Sequence, residues 1–254
     1  MFVSGNRALH EISVDGSVRK VVDLYSNLGL APIGERDILY ADFGPTNVFR
    51  DGENDDGIVW RITPEGGKTV LAEGIADPNF ILLRKDGSML VSDDGVDDIY
   101  LVDTDGRVRL FTNLVKHPNG MVFSLDGRAL FVAQIFKQIH PIVPDNRVWR
   151  FDIDASGEPV GDPVVVAAPG EGGHDGLAMD DMGRIYVAEN GGGRIWRIDP
   201  GSDELVLIAE NVPGAASLAF GEGEFDPHAL YITSTQLGTV WSVEVGVSGA
   251  PLQR

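Results

Sequence analysis

The chain repeats one short pattern, and this repeat limits the possible folds more than any other feature of the sequence. The pattern is an apolar stretch, an Asp-Gly turn, a second apolar stretch and, after a gap, an aromatic residue near an Asp. Three of the turn glycines, Gly87, Gly127 and Gly183, lie 40 and 56 residues apart. The aromatic residues recur every 40 to 49 positions, at Trp60, Tyr100, Trp149, Trp196 and Trp241. His10 takes the same place one repeat earlier, so six copies fit the chain.

Each copy predicts a small antiparallel sheet. In the third copy, short apolar stretches at about 79–84, 88–92, 98–102 and 107–112 are separated by turns rich in Asp and Gly. Four-stranded units with this period are typical of β-propeller blades, which bury both faces by stacking on their neighbours. A sandwich could use the same strands, but it would not need the regular motif. We therefore predict an all-β, six-bladed β-propeller of four-stranded blades, with residues 1–254 in one domain.

Composition excludes several other classes of protein. The longest stretch without Gly or Pro is residues 128–140, which is too short for long helices or coiled coils. The chain has no Cys, so disulfides, thiolate metal sites and a Cys nucleophile are ruled out. It has no apolar run of the ~20 residues that a membrane helix needs. The net charge of −19 opposes nucleic-acid and anionic-membrane partners but names no function by itself. Residues 1–16 have no signal-peptide pattern, so we expect a cytoplasmic protein.

Oxygen-bearing residues stand at the same place in three consecutive copies. Asn79, Asn119 and Asp175 each begin the first strand of a blade, within Asp-Pro-Asn-Phe, His-Pro-Asn-Gly and His-Asp-Gly. In the usual blade this strand is the innermost one, so the three side chains should converge on the central channel. Turn chemistry is the simpler explanation for any one of them, because Asn and Asp commonly begin turns. Three together favour a shared ligand.

At these positions the sequence resembles the family of senescence-marker-protein, gluconolactonase and luciferin-regenerating-enzyme-like six-bladed propellers. The resemblance is most specific in His117-Pro-Asn-Gly-Met-Val-Phe-Ser-Leu-Asp-Gly-Arg and in His174-Asp-Gly-Leu-Ala-Met-Asp. It implies a divalent cation, often calcium, at the mouth of the channel. It also implies that Asn119 and Asp175 are metal ligands, that Asn79 lines the substrate site and sometimes reaches the metal, and that Asp175 serves as general base.

The start of the chain departs from this family. Family members usually begin the first blade with a Glu-Gly-Pro or Glu-Ser-Pro segment whose glutamate binds the metal. Here Met1-Phe-Val-Ser-Gly corresponds to the second strand of that blade. We therefore expect the first blade to lack its innermost strand, with either a start further upstream or a shortened variant with a weakened site. The exposed sheet edge would favour homo-oligomers.

The ligand set predicts the kind of cation. Two amide oxygens and one carboxylate suit Ca²⁺ or Mg²⁺, and Mn²⁺ or Zn²⁺ are alternatives. We expect Ca²⁺ with a dissociation constant on the order of 10⁻⁵ to 10⁻³ M, because affinity grows with the number of carboxylates.

Further site residues follow from neighbouring positions. His117 and His174 flank the predicted ligands and are candidates for catalysis, although a structural histidine is the commoner case. Two blades carry enlarged loops, Phe43–Ile58 and Gln134–Arg147, which are either lids over the channel or loops packed on the next blade. In the second loop we expect Phe136 and His140 to contact substrate. The acidic run at 51–57 fits a solvated loop better than a calcium loop.

Together these features predict a metal-dependent hydrolase, most plausibly a lactonase that opens a sugar lactone or related cyclic ester with metal-activated water. No Gly-x-Ser-x-Gly motif is present, which argues against a serine hydrolase of the α/β type. Two alternatives stay open. One is a non-catalytic propeller that binds a small ligand or a protein, and the other is a related hydrolase of the phosphotriesterase type.

Overall fold

A computed structural model describes residues 1–46, 49, 55–202 and 204–253. Its contacts divide the chain into two compact units. The first comprises Met1–Asn113 with Leu252–Arg254, and the second comprises Leu114–Pro251. The two units are described in turn.

The first unit contains three antiparallel sheets, with strand orders β1-β2-β3, β4-β5-β6-β7 and β11-β10-β9-β8. Their bounds are β1 Phe2–Gly5, β2 Ala8–Ile12, β3 Val18–Asp23, β4 Leu30–Ile33, β5 Asp37–Asp42, β6 Gly57–Ile62, β7 Lys68–Ile75, β8 Pro78–Leu83, β9 Met89–Asp93, β10 Ile99–Val102 and β11 Val108–Thr112.

The second unit contains three further antiparallel sheets, with orders β12-β13-β16-β17, β18-β19-β20-β21 and β22-β23-β24, and a separate hairpin, β14-β15. Their bounds are β12 Pro118–Phe123, β13 Ala129–Gln134, β14 Phe136–Ile139, β15 Ile142–Pro144, β16 Val148–Ile153, β17 Pro159–Ala167, β18 His174–Met179, β19 Ile185–Glu189, β20 Arg194–Ile198, β21 Leu205–Ala209, β22 Ala215–Phe220, β23 Ala229–Ser234 and β24 Thr239–Glu244.

The strands follow the sequence repeat closely. Those of the third sheet, β8 to β11, agree with the four predicted stretches to within one or two residues. The turn between β8 and β9 needs a residue with positive φ, and Gly87 supplies it at 83°. Successive strands pair as neighbours throughout this sheet, as expected of a meander. The six sheets are the blades of a six-bladed β-propeller, which confirms the predicted all-β fold class.

The first sheet has three strands, as predicted. His10 lies on β2, and its counterpart in the next repeat, Trp60, lies on β6, the third strand of its sheet. Strand β2 is therefore equivalent to a third strand, and β1 is equivalent to a second strand. The sixth sheet also has three strands among the described residues, β22, β23 and β24, which the repeat did not predict. After β24 the chain returns to the fifth sheet, where Ala250 donates a backbone hydrogen bond to the Met179 carbonyl at 2.8 Å.

The core of each unit lies between consecutive sheets. In the first unit, Leu39 and Val59 of the second sheet pack with Val91 of the third. In the second unit, Ala133 and Val148 pack with Val187 in the same way. All six of these side chains are fully buried. Burial of about 25 cal/mol per Å² of apolar surface makes this stacking the main source of stability, because one small sheet cannot cover its own two faces.

The enlarged fourth-blade loop, predicted without strands of its own, contains the hairpin β14-β15. Its second-blade counterpart, Phe43–Ile58, is described only in part, and the acidic run at 51–57 lies largely outside the described residues. Within the part of the chain that the structure describes, no helix has the length and apolar character needed to cross a membrane.

Candidate functional site

A buried polar side chain ends the second strand of each four-stranded blade and ties the blade together. The positions are Asp42, Asp93, Gln134 and Glu189, and all four are at most 1% exposed. In three of these blades the side chain accepts a hydrogen bond from the indole Nε1 of the repeated tryptophan, at 3.2 Å from Trp60, 2.9 Å from Trp149 and 2.7 Å from Trp196. The aromatic repeat is therefore a framework feature.

Glu189 accepts hydrogen bonds from backbone groups as well as from Trp196. Its Oε1 accepts hydrogen bonds from the backbone N–H groups of Glu171, at 3.0 Å, and Gly172, at 2.8 Å. Burial works to raise the pKa of Glu189, but the bonds from Trp196, Glu171 and Gly172 outweigh it and leave the pKa below its ordinary value. An ionised Glu189 thus fixes the loop that leads into β18.

The predicted ligands occupy equivalent positions in the sheet register. In each of the three blades, one residue of the first strand pairs with the last residue of the second strand. The predicted ligand is the next residue along the chain: Asn79, Asn119 or Asp175. In the second and sixth blades the equivalent residues are Leu28 and Ala216, which are apolar. Oxygen-bearing side chains at this position are therefore confined to the third, fourth and fifth blades.

Within the second unit, the strands that carry Asn119 and Asp175 lie against each other. Gly120 makes this close approach possible, because a β-carbon there would come within 2.5 Å of the Asp175 carbonyl oxygen. Asn119 is 1% exposed, whereas Asp175 keeps part of its surface accessible. The structure thus brings two of the three predicted ligands to neighbouring strand starts.

Asp175 combines partial accessibility with a crowded carboxyl group. Its Oδ2 accepts a hydrogen bond from Asn190 Nδ2 at 2.9 Å, which is the only hydrogen bond to this carboxyl from the described residues. Burial raises the pKa of Asp175 to about 7, and the bond from Asn190 works in the opposite direction. A carboxyl with this pKa can both accept and return a proton near neutrality.

Asn79 belongs to the first unit and has a carboxylate neighbour of its own. Its Nδ2 donates to Asp94 Oδ2 at 2.8 Å. Because an ionised carboxylate accepts and never donates, this bond fixes the amide with its nitrogen toward Asp94 and leaves Oδ1 as the acceptor on the other side. The membership of Asn79 in one site with Asn119 and Asp175 stays a prediction.

His174 lies inside the second unit. It is fully buried, and its Nε2 donates to the Pro169 carbonyl oxygen at 3.0 Å. Burial lowers the pKa of His174 to about 4, so the ring is neutral at pH 7. This environment favours the structural role that the sequence left open, and the catalytic role of His174 stays a prediction.

His117, two residues before Asn119 in the chain, contacts Phe136. Their rings meet edge to face, with centroids 6.3 Å apart. His117 has a positive φ of 42°, and its carbonyl oxygen accepts the backbone hydrogen bond of Ile135 at 3.2 Å. Unusual backbone angles of this kind cluster at functional sites. His140, the other residue expected to contact substrate, is exposed between the two hairpin strands.

The described donors fit an oxygen-preferring cation. Among the described residues, no group of three or more His, Asp or Glu side chains could hold a metal ion. In the second unit, the strand starts that carry Asn119 and Asp175 lie next to each other. Among the described residues, one hydrogen bond, from Asn190, stabilises the ionised form of the Asp175 carboxyl. A bound cation would stabilise that form further. If Asn119 and Asp175 held a cation, they would supply two protein ligands and one charge, which would make the site weak.

Sequence reasoning missed Asn190 and Asp94. Both directly follow the buried polar residue that ends the second strand, Glu189 in one blade and Asp93 in the other. The signal was present in Val-Ala-Glu-Asn and Val-Ser-Asp-Asp, where two polar residues end a buried strand.

Comparison with known proteins gives a family match. A family model described as the SMP-30/Gluconolactonase/LRE-like region matches residues 91–236, more than half of the chain. This range includes the starts of β12 and β18 together with Asn190, but not Asn79.

Individual relatives agree with that match. A 6-deoxy-6-sulfogluconolactonase from Pseudomonas putida is 31% identical over 53% of the chain and 44% of its own length. A regucalcin from Danio rerio is 30% identical over 68% of the chain and 57% of its own length. The chain thus spans about half the length of these relatives. A solved structure of regucalcin from Agrobacterium tumefaciens, described as a calcium-binding protein, is 22% identical, covers 98% of this chain and 86% of its own, and has a TM-score of 0.73.

Proposed function

Because the chain belongs to the SMP-30/gluconolactonase/LRE-like family, we propose that it is a lactonase-type hydrolase that opens a sugar lactone or a related cyclic ester. The 6-deoxy-6-sulfogluconolactonase relative supports this reaction class. The observation that carries the proposal is Asp175, a partly exposed residue at the start of β18 whose strand lies beside that of Asn119.

The chain's own residues account for the proton movements. Asp175 Oδ1 accepts a proton from a water molecule as the water oxygen bonds to the lactone carbonyl carbon. The ring C–O bond then breaks, and the same proton passes from Asp175 to the departing alkoxide to give a hydroxy acid. Asn190 holds the other oxygen, Oδ2, throughout. Without a bound cation the pKa of Asp175 is about 7, which suits both transfers at neutral pH.

A divalent cation completes the proposed site, with Ca²⁺ favoured and Mg²⁺, Mn²⁺ and Zn²⁺ as alternatives. Asn119 and Asp175 would hold it, and Asn79 would join them if its unit contributes to the same site. When bound, such an ion polarises a carbonyl oxygen and lowers the pKa of a coordinated water.

A second candidate is a cation-binding propeller without turnover. The likeness to a structure described as a calcium-binding protein, regucalcin, favours it, as does the small number of charged donors. Fold alone does not separate the two, because propellers serve both roles.

Turnover distinguishes these functions. Purified protein is assayed against aldonolactones, simple aromatic lactones and a phosphotriester, with Ca²⁺ and with chelator. The proposal predicts lactone opening that chelator and Asp175→Asn each reduce at least ~10²-fold. Binding of Ca²⁺ without turnover would favour the second candidate, and turnover of the phosphotriester alone would move the chain to another reaction class. A small-molecule substrate, a cytoplasmic location, no nucleic-acid or membrane partner and a tendency to self-associate stay predictions of the sequence.

A further inference from the structure

Two blades contain the same side-chain pair with its partners exchanged. In the third blade the first-strand residue is the amide, Asn79, and the residue after the second strand is the carboxylate, Asp94. In the fifth blade the first-strand residue is the carboxylate, Asp175, and the residue after the second strand is the amide, Asn190. The N–O distances are 2.8 and 2.9 Å. The exchange keeps the hydrogen bond and changes only which strand carries the charge.

Hydrogen bonds fix the backbone before and after Asn190. Its backbone N–H donates to the Gly173 carbonyl oxygen at 2.9 Å, and Gly173 lies two residues before Asp175. The preceding residue, Glu189, is fully buried and bonds the loop at 171–172. Three glycines follow at 191–193, and the N–H of Gly193 closes a turn on the Glu189 carbonyl oxygen at 2.9 Å. These bonds fix the backbone at Asn190, from which its side-chain amide reaches Asp175.

A fixed amide limits how the carboxylate can turn. With Oδ2 bonded to Asn190, the Asp175 carboxyl has one orientation in which Oδ1 is open to water or a cation. Among the described residues no donor bonds to Oδ1. Partners outside the ligand shell that fix a ligating side chain commonly matter 10–100-fold for affinity or activity.

We infer that Asn190 is the positioning residue for Asp175, acting through its hydrogen bond to Oδ2 so that Oδ1 faces the reacting molecule. The inference rests on the proposed function for what Oδ1 does. Its geometric content does not depend on that function, because the hydrogen bond from Asn190 to Oδ2 requires no activity.

The test compares Asn190→Leu with Asn146→Leu in the full chain. Leucine is close to asparagine in volume and cannot donate a hydrogen bond. Asn146 is the matched control, since its Nδ2 donates to two backbone carbonyls in the same unit, those of Ala168 at 3.0 Å and Gly170 at 2.6 Å, and it makes no bond to Asp175. Both variants should lower the melting temperature, so stability alone does not separate them.

Three measurements separate positioning from a structural role. In crystals of Asn190→Leu, the Asp175 carboxyl is expected to rotate away from its wild-type orientation, whereas in Asn146→Leu it stays. By calorimetry, the dissociation constant for Ca²⁺ is expected to rise ~10-fold in Asn190→Leu and less than ~2-fold in Asn146→Leu. On a lactone that the wild type opens, kcat should fall more than KM rises.

An unchanged Asp175 orientation in Asn190→Leu overturns the inference, whatever the activity. A wild type that opens no lactone contradicts the proposed function and leaves the crystallographic and calcium comparisons to decide the role of Asn190. Equal losses of calcium affinity in both variants would also overturn it, because the effect would then come from general loosening of the unit.

Discussion

The indole Nε1 of Trp196 donates a 2.7 Å hydrogen bond to the fully buried carboxylate of Glu189. The same carboxylate holds the backbone N–H groups at 171 and 172, so one side chain joins the third strand of the fifth blade to the loop before its first strand. That loop leads directly to Asp175. The repeated aromatic residue thus contributes indirectly to the site, by fixing the polar anchor next to it.

Replacing Glu189 with Gln should destabilise the protein by about 1–3 kcal/mol, because the amide nitrogen of Gln would face N–H donors. Since the folded-state pKa of Glu189 is lowered, its contribution is present above the unfolded-state value and is lost as pH falls. Urea unfolding at pH 7 and pH 4 measures both effects. The variant and the wild type should differ less at pH 4, and equal stability at pH 7 would contradict the anchoring role.

The Asp175→Asn substitution should stabilise the metal-free protein at pH 8 while abolishing activity. Burial raises the pKa of Asp175 to about 7, so the ionised form that exists at pH 8 is disfavoured in the folded state. Asn carries no charge, and its side-chain oxygen can still accept the bond from Asn190. We expect the melting temperature to rise by ~2–4 °C in chelator.

The pH dependence of the stability gained in Asp175→Asn provides a control. A carboxyl whose pKa is raised on folding loses stability as pH rises from the unfolded to the folded value. The advantage of Asp175→Asn should therefore shrink toward pH 4, and added Ca²⁺ should raise the melting temperature of the wild type only. If Asp175→Asn is less stable than the wild type at pH 8, the prediction is contradicted, because the folded protein would then stabilise the ionised carboxylate.

Acid should destabilise the protein through His174. Burial lowers the pKa of His174 to about 4 from 6.5, so below pH 6.5 the unfolded chain binds a proton that the folded chain excludes. We expect a loss on the order of 2–3 kcal/mol between these two pH values. His174→Gln keeps a donor toward the Pro169 carbonyl and cannot titrate, so its stability should change less over this range. Parallel pH profiles for the two proteins would rule out His174 as the cause.

The ring pair of His117 and Phe136 should affect substrate binding. Phe136→Ala removes the half-buried ring and is expected to raise KM ~10-fold with little change in kcat. Lys137 is exposed on the same hairpin strand, so Lys137→Ala is the matched control and should leave KM unchanged. A normal KM in Phe136→Ala would place the substrate away from this hairpin.

The strands could be predicted from the sequence because each depends on local signals. Alternating apolar residues and Asp-Gly turns placed β8 to β11 to within one or two residues. The hairpin at 136–144 was missed, since Phe-Lys-Gln-Ile is short and no Asn-Gly or Asp-Gly turn follows it. Its strands are secured by their own pairing and by the bond from the Asp145 N–H to the Ile135 carbonyl at 2.9 Å.

The site was predictable only in part. The starts of β12 and β18 could be aligned by motif, which made Asn119 and Asp175 candidates. The partnership of Asp175 with Asn190 depends on a register shift between His174 and Leu177, which residue patterns do not reveal. The burial of His174 likewise depends on the Pro169 carbonyl, contributed by a loop that no local pattern connects to it.

The most direct test of the proposed site is anomalous diffraction from crystals soaked in Mn²⁺, which prefers the same oxygen ligands as the expected cation. For the proposed site we expect a peak within about 2.6 Å of oxygens on both Asn119 and Asp175. We also expect no peak there in Asp175→Asn crystals soaked in the same way. A wild-type peak bound by other residues, or no peak at millimolar Mn²⁺, would contradict the proposed site.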